Sequence, residues 1–241
     1  MVEAGLWGAV GASSLLLGAM IGLALSIPRQ VIGLVLGFGA GTLISAMAFE
    51  LTEEAFRVGG ADAVAIGLAL GALAYFVGDQ LIARRGGRQR MSSMGEQADS
   101  SASALLLGAV LDGIPESAVI GITVLQGGTV GVAVLAAVFL SNLPEALSSA
   151  TGMKRGHSSG YVLGVWVLVV VVSAISAALG YGGLDGASGN TIGLIQAFAG
   201  GAVLTMLVDT MIPEAIKRGG KAVGLVTVLG FALAYLLSTL E

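Results

Sequence analysis

Long apolar runs punctuated by short polar or glycine-rich breaks organise the whole chain. Eight runs, at about residues 5–27, 31–56, 62–83, 102–126, 130–152, 160–180, 191–216 and 221–240, are each apolar enough to form a membrane-spanning helix. Crossing a hydrocarbon core takes about 20 such residues. The breaks are Pro28-Arg29, Arg57-Val58-Gly59-Gly60, the basic Gly/Ser-rich stretch from Arg84 to Ser103, and Gln126-Gly127-Gly128-Thr129. Lys154-Arg155-Gly156-His157, a glycine-rich stretch at 180–190 and Lys217-Arg218-Gly219-Gly220-Lys221 complete the set. The pattern predicts an all-α polytopic membrane protein of eight transmembrane helices. It forms one transmembrane domain over residues 1–241, with a cytoplasmic loop at about 84–103. The first run carries Glu3 and no preceding basic residue, so it reads as a retained span rather than a cleaved signal.

Composition fits that picture. Only 11% of residues are charged, against about 25% in a soluble domain, and 56% are hydrophobic, with 39 glycines besides. So little charge excludes a disordered chain and a nucleic-acid binder. The absence of cysteine removes disulfides, thiolate metal sites and thiol nucleophiles. The single histidine, His157, falls in a basic loop and is expected to face water.

Charge position orients the chain. The odd-numbered loops hold Arg29; Arg84, Arg85, Arg88 and Arg90; Lys154 and Arg155; and Lys217, Arg218 and Lys221, which is ten of the eleven basic residues. The even loops hold Arg57 alone. The positive-inside rule then places the odd loops in the cytoplasm and both termini outside, as a multi-pass protein of a cell (inner) membrane.

A repeat runs through the chain with an offset of 160. SAMAFELTEEAFRVGG at 45–60 aligns with TMLVDTMIPEAIKRGG at 205–220, pairing Glu54 with Glu214, Arg57 with Lys217 and the double glycines with each other. The first copy turns outside and the second inside. This makes spans 1–3 and 6–8 inverted repeats around spans 4–5, a common transporter plan with its site near the midplane.

The charges left inside the spans are acidic. Asp112 and Glu116 lie near the middle of span 4, and Glu145 in span 5; Glu50, Glu53 and Glu54 lie toward the outer end of span 2, and Asp209 and Glu214 toward the inner end of span 7. An intramembrane Asp costs roughly 2.5–3.5 kcal/mol on an insertion scale. With no lysine or arginine placed as deep, several such groups call for protons or cations.

Span 4 reads Asp112-Gly113-Ile114-Pro115-Glu116, and span 5 reads Ser141-Asn142-Leu143-Pro144-Glu145. Asp112 and Glu116 share a helix face at a spacing of four, and Asn142 and Glu145 at three. Each proline frees the carbonyl four residues back, Leu111 and Leu140 here. If the two kinks face each other, Asp112, Glu116, Asn142 and Glu145, joined by Ser141, make an oxygen cage suited to a divalent cation. Met47, just before Glu50, is a further candidate ligand. Glu50 is expected to act at an outer entrance, Glu53 and Glu54 either to gather cations there or simply to face water, and Asp209 and Glu214 to line the way out. Glu214 is also within reach of Lys217 or Lys221 as an ion pair. No nucleotide-binding loop and no H-E-x-x-H string occurs, so an ATP-driven pump and a zinc protease are not expected.

These features resemble the ZIP (Zrt/Irt-like) family of divalent metal-ion transporters. The resemblance covers essentially the whole chain and is most specific in D-G-I-P-E-S at 112–117 and S-N-L-P-E-A at 141–146. It implies that Glu116 and Glu145 take the places of the family's metal-binding glutamates after proline. Asp112 stands where the family has its fourth-span histidine, and Ser141 and Asn142 where it has the first two fifth-span ligands. It also implies zinc, or another metal such as Mn, Fe, Co or Cd, as cargo, and it leaves a homodimer open. Both histidine positions are lost here, which shifts the donor set toward harder oxygen ligands. No organic cofactor and no nucleic-acid partner is expected; the partners are metal ions and membrane lipid.

The expected mechanism is alternating access, with metal entering past Glu50 and Glu54, held between spans 4 and 5, and leaving past Asp209 and Glu214. Neighbouring carboxylates share protons when empty, so metal binding should release them. The chain is not expected to be an enzyme. The rivals are a proton- or sodium-coupled carrier of an organic substrate, an intramembrane aspartyl-type enzyme using Asp112 and Asp209, and a non-transporting metal sensor or partner subunit.

Overall fold

A computed structural model of the chain describes residues 1–84, 102–128 and 130–240 (the side chains of 102–105 excepted). The loop predicted at 84–103, with Arg85, Arg88 and Arg90, falls almost wholly outside the described residues. The elements are α1 (Val2–Ala24), α2 (Arg29–Ser45), a π-helical segment (Ala46–Thr52), α3 (Glu53–Ala83), α4 (Ala102–Gly127), α5 (Val132–Met153) and α6 (Ser159–Gly182). They are followed by α7 (Gly189–Met206), a second π-helical segment (Leu207–Met211), α8 (Ile212–Gly219) and α9 (Ala222–Ser238).

The protein is thus an all-α, multi-spanning helical bundle. Among the described residues six helical runs are long and apolar enough to cross a membrane: Val2–Ala24, Arg29–Ala83, Leu106–Gly127, Val132–Met153, Ser159–Gly182 and Gly189–Gly219. The run Arg29–Ala83, 55 residues long, takes in two of the spans expected from the sequence. The four-residue break expected at 57–60 narrows to a single kink at Gly60, whose φ of 78° and ψ of 178° are non-helical. That combination is essentially accessible to glycine alone. The last apolar helix, Ala222–Ser238, is shorter at 17 residues.

Glycine and alanine set how closely the helices pack. A Cβ on Gly18 would overlap the Leu143 carbonyl oxygen, and one on Gly71 the Phe198 carbonyl oxygen. The lipid environment offers no hydrophobic drive for one helix to seek another, so such small-residue contacts carry association. Through them α1 packs on α5 and α6, α2 on α8 and α9, α3 on α7, and α4 on α6. Contact between α4 and α5 is limited. A core of Leu36, Leu43, Met47, Leu51, Tyr75, Val119, Ile120, Val134 and Val138 fills the centre.

Several local features recur at the offset of 160. The two π-helical segments fall at matching positions. Gly220, with φ 64° and ψ −150°, matches the kink at Gly60. A Cβ on Gly33 would strike the backbone of Gly219 and Ala215, and one on Gly193 that of Gly59 and Ala55. Residues 46–58 and 206–218 pass through buried, half-buried and exposed positions in the same order.

His157 departs from expectation. It is half-buried, its ring stacked on Tyr161 with centroids 4.8 Å apart and planes inclined by 21°, and its Nδ1 is enclosed without a hydrogen-bond partner. The tight 153–159 turn folds the ring back onto the start of α6 instead of releasing it to water.

Candidate functional site

Span-centre polarity is real in the folded chain. Asp112, Glu116, Ser117, Ser141, Asn142 and Glu145 are all buried. They sit on α4 and α5 because the 3.6-residue period turns Asp112 and Glu116 to one face of α4, and Asn142 and Glu145 to one face of α5. Pro115 and Pro144 lie inside their helices, and the surrounding bundle holds both helices through the interruption. Ser176 on α6 donates a 2.8 Å hydrogen bond to the carbonyl of Ile114, beside Pro115. Gly39 on α2 brings its backbone close to Ser141 and Pro144, where an added Cβ would lie 3.0 Å from the Ser141 Cα and 3.1 Å from the Pro144 ring.

The partners of these groups differ. Tyr75 Oη on α3 donates a 2.5 Å hydrogen bond to Asp112 Oδ1. Ser141 Oγ donates to the Val138 carbonyl at 3.0 Å, and Asn142 Nδ2 to the Gly11 carbonyl on α1 at 3.4 Å. Glu116 is 2% exposed, and neither of its carboxylate oxygens has a hydrogen-bond partner. A buried carboxylate without a donor is costly in a helix bundle, and it calls for a proton or a cation. Met47 is buried in the first π-helical segment, its sulfur facing Gly200. π-Helical segments are frequent at functional positions.

Among the described residues no three His, Cys, Asp or Glu side chains gather into a group that could hold a metal ion. α4 packs chiefly on α6 and α5 on α1, with limited contact between α4 and α5; Asp112 meets Tyr75 of α3 and Asn142 meets Gly11 of α1.

At one end of the bundle a cavity of about 850 Å³ opens. Glu50, Glu53, Glu54 and Arg57 line it, together with Thr123, Gln126, Gln196, Tyr235 and Ser238. Ser238 donates to the Glu50 carboxylate. Glu54 accepts two 2.6 Å bonds from Arg57 and one of 3.1 Å from Gln126. Gln126 also donates to Gln196 at 3.4 Å, while Gln196 Nε2 is buried without a partner. Thr123 lies seven residues beyond Glu116 on α4, about 10 Å along the axis at 1.5 Å per residue. At the axial levels between the cavity and Glu116 lie Val119 and Ile120 of α4 and Val134 and Val138 of α5, all buried in one apolar cluster.

The two remaining acids lie elsewhere. Asp209 is exposed on the bundle surface, in the position that Phe49 occupies in the first repeat copy. Glu214 pairs with Arg218 one turn on, a partner not anticipated from the sequence. The spacing of four on α8 aligns the two side chains.

Tyr75, Gln126, Gln196 and Ser238 were not evident as site residues from the sequence. Gln196 carries the clearest signal, a lone amide inside an apolar span. Tyr75, inside the third apolar run, and Ser238, near the end of the last, give no local signal until packing brings them to Asp112 and Glu50.

No family model matches the chain, and no curated protein matches it in sequence.

Proposed function

We propose that the protein is a divalent metal cation transporter of the ZIP-like kind, carrying zinc or another transition metal into the cytoplasm by alternating access. The observation that carries this reading is Glu116: fully buried at mid-span, with both oxygens unpartnered. The glutamate-lined cavity two helical turns away supplies a collecting vestibule. On this reading Asp112, Ser141, Asn142 and Glu145 converge with Glu116 on the ion when α4 and α5 approach. Met47 and Glu50 receive it from the vestibule, and Asp209 and Glu214 serve the way out. Val119, Ile120, Val134 and Val138 form the apolar layer that closes the outer side in the conformation described.

Divided at the Gly60 kink, Arg29–Ala83 gives two runs, 29–59 and 61–83, each long enough for about 30 Å of hydrocarbon, which supports seven crossings; the shorter Ala222–Ser238 is the eighth on this reading. The Gly33–Gly219 and Gly193–Gly59 approaches, the two π-helical segments and the Gly60 and Gly220 kinks support an inverted repeat of spans 1–3 and 6–8. The vestibule gathers the loop ends that charge counting places outside. An aspartyl enzyme built on Asp112 and Asp209 has less support, since the first is buried against Tyr75 and the second is exposed on the bundle surface.

The deciding experiment is flux into liposomes containing the purified protein, across Zn, Mn, Fe, Co, Cd and Mg, with Glu116→Gln as control. Saturable uptake of at least one metal, reduced more than about tenfold by Glu116→Gln, is expected. Equal uptake by the variant, or none by the native protein for any metal, overturns the proposal.

A further inference from the structure

A second cavity, of about 530 Å³, opens at the opposite end of the bundle between α1, α2 and α5. Three basic residues line it, Arg29 at the start of α2 and Lys154 and Arg155 just past α5; among the described residues its lining includes no acid. Three basic residues around one cavity make it a favourable place for an anion. Lys154 spends one donor on the Leu23 carbonyl at 2.7 Å, which fixes its ammonium at the cavity wall with donors to spare. Leu25, Ile27 and Ile32 also line the cavity, and Leu25 is 57% exposed, so cation and apolar surface sit side by side.

We propose that this cavity binds the phosphate-bearing headgroup of an anionic membrane lipid, with Arg29, Lys154 and Arg155 on the phosphate and Leu25, Ile27 and Ile32 against the start of the acyl chains. Basic pockets between spans at the level of the headgroups bind lipids of this kind. Arginine suits the task because its planar fork meets phosphate oxygens in pairs. A free phosphate satisfies the charges but leaves the apolar rim uncovered, so the lipid is the better match. A bound headgroup ties the α1–α2 turn to the end of α5 that carries Glu145 nine residues earlier. The site stands apart from the metal reading and survives if that reading fails.

The test uses the full-length protein in detergent, titrated with dioctanoyl-phosphatidylglycerol, dioctanoyl-phosphatidylcholine or sodium phosphate at constant ionic strength, and followed by native mass spectrometry and thermal unfolding. Phosphatidylglycerol is expected to bind saturably and raise Tm, with the other two having little effect. Arg29→Gln with Arg155→Gln should weaken binding about tenfold or more, whereas Arg29→Lys with Arg155→Lys should stay within about threefold. Lys217→Gln with Lys221→Gln removes basic charge outside the cavity and should leave binding unchanged. If the double glutamine variant does not fold, Arg29→Gln alone carries the comparison. Equal binding of phosphatidylcholine, equal stabilisation by phosphate alone, undiminished binding by the glutamine variant, or an equal loss in the Lys217 and Lys221 variant would each overturn the proposal.

Discussion

Tyr75 donates a 2.5 Å hydrogen bond to Asp112, joining α3 to the centre of α4. Both residues are almost fully buried, so the bond is made where water cannot replace it. Leaving a buried acceptor without its donor costs about 1–3 kcal/mol. Tyr75→Phe removes the donor while keeping the ring and is expected to destabilise the protein by about that much. Thermal unfolding of the purified variant measures it. If Asp112 is a metal ligand, the same variant also shifts metal affinity, and isothermal titration with the transported ion separates that effect from the loss of stability.

Gly60 makes a sharper prediction about the backbone. Its φ and ψ, like those of Gly220 in the second copy, lie in a region that residues with a Cβ avoid whatever space surrounds them. No atom stands within 4 Å of a Cβ built there, so crowding is not at issue. Gly60→Ala and Gly60→Asn should both cost about 1–3 kcal/mol. Asparagine offers no rescue, since its tolerance is for the ordinary left-handed helical region. Gly164, inside α6 and also without neighbours to a Cβ, is the control: Gly164→Ala should be neutral or stabilising by up to about 1 kcal/mol. A Tm difference between Gly60→Ala and Gly164→Ala near zero would contradict the assignment.

These two sites show which parts of the architecture are written locally. Apolar runs and their breaks mark the helices because span length and the cost of intramembrane charge act on each segment by itself. The buried positions of Asp112, Glu116, Asn142 and Glu145 follow from the same rule. What escapes is everything that depends on which helices meet. Glu214 meets Arg218 through a spacing of four on α8, a matter of helix phase. Tyr75 reaches Asp112 from 37 residues away, and Ser238 reaches Glu50 from 188 away; no spacing rule links such pairs. The kink confined to Gly60 was hidden because its neighbours Arg57 and Val58 are compatible with either turn or helix.

Arg57 on the vestibule wall is the one basic residue that the charge pattern places outside. Its guanidinium holds Glu54 through two 2.6 Å hydrogen bonds while remaining 73% exposed. An exposed pair of this kind is screened by water and contributes little, so on the proposed reading an incoming cation competes with it easily. Arg57→Gln should lower the half-saturating metal concentration for uptake by up to about fivefold at low salt. The difference should shrink at high ionic strength. Uptake curves at two salt concentrations test both statements, and an increase in the half-saturating concentration would show that Arg57 assists capture instead of competing with it.

The apolar layer between vestibule and Glu116 yields the prediction most specific to transport. Val119 and Val138 come from α4 and α5, one and two turns from Glu116 and Glu145 respectively, and both are buried. A hydrophobic constriction blocks ions by excluding water, not by filling every gap. Replacing valine by threonine keeps the shape and adds a hydroxyl, so it wets the layer without opening a large cavity. Val119→Thr with Val138→Thr is therefore expected to raise basal metal leak through liposomes several-fold, with a stability loss of about 1–3 kcal/mol for each hydroxyl that lacks a partner. Adding Glu116→Gln on that background should abolish the saturable component of the leak, because the layer sets access and the carboxylate sets capture. A leak that persists unchanged, or that stays low with both threonines present, would place the permeation route elsewhere in the bundle.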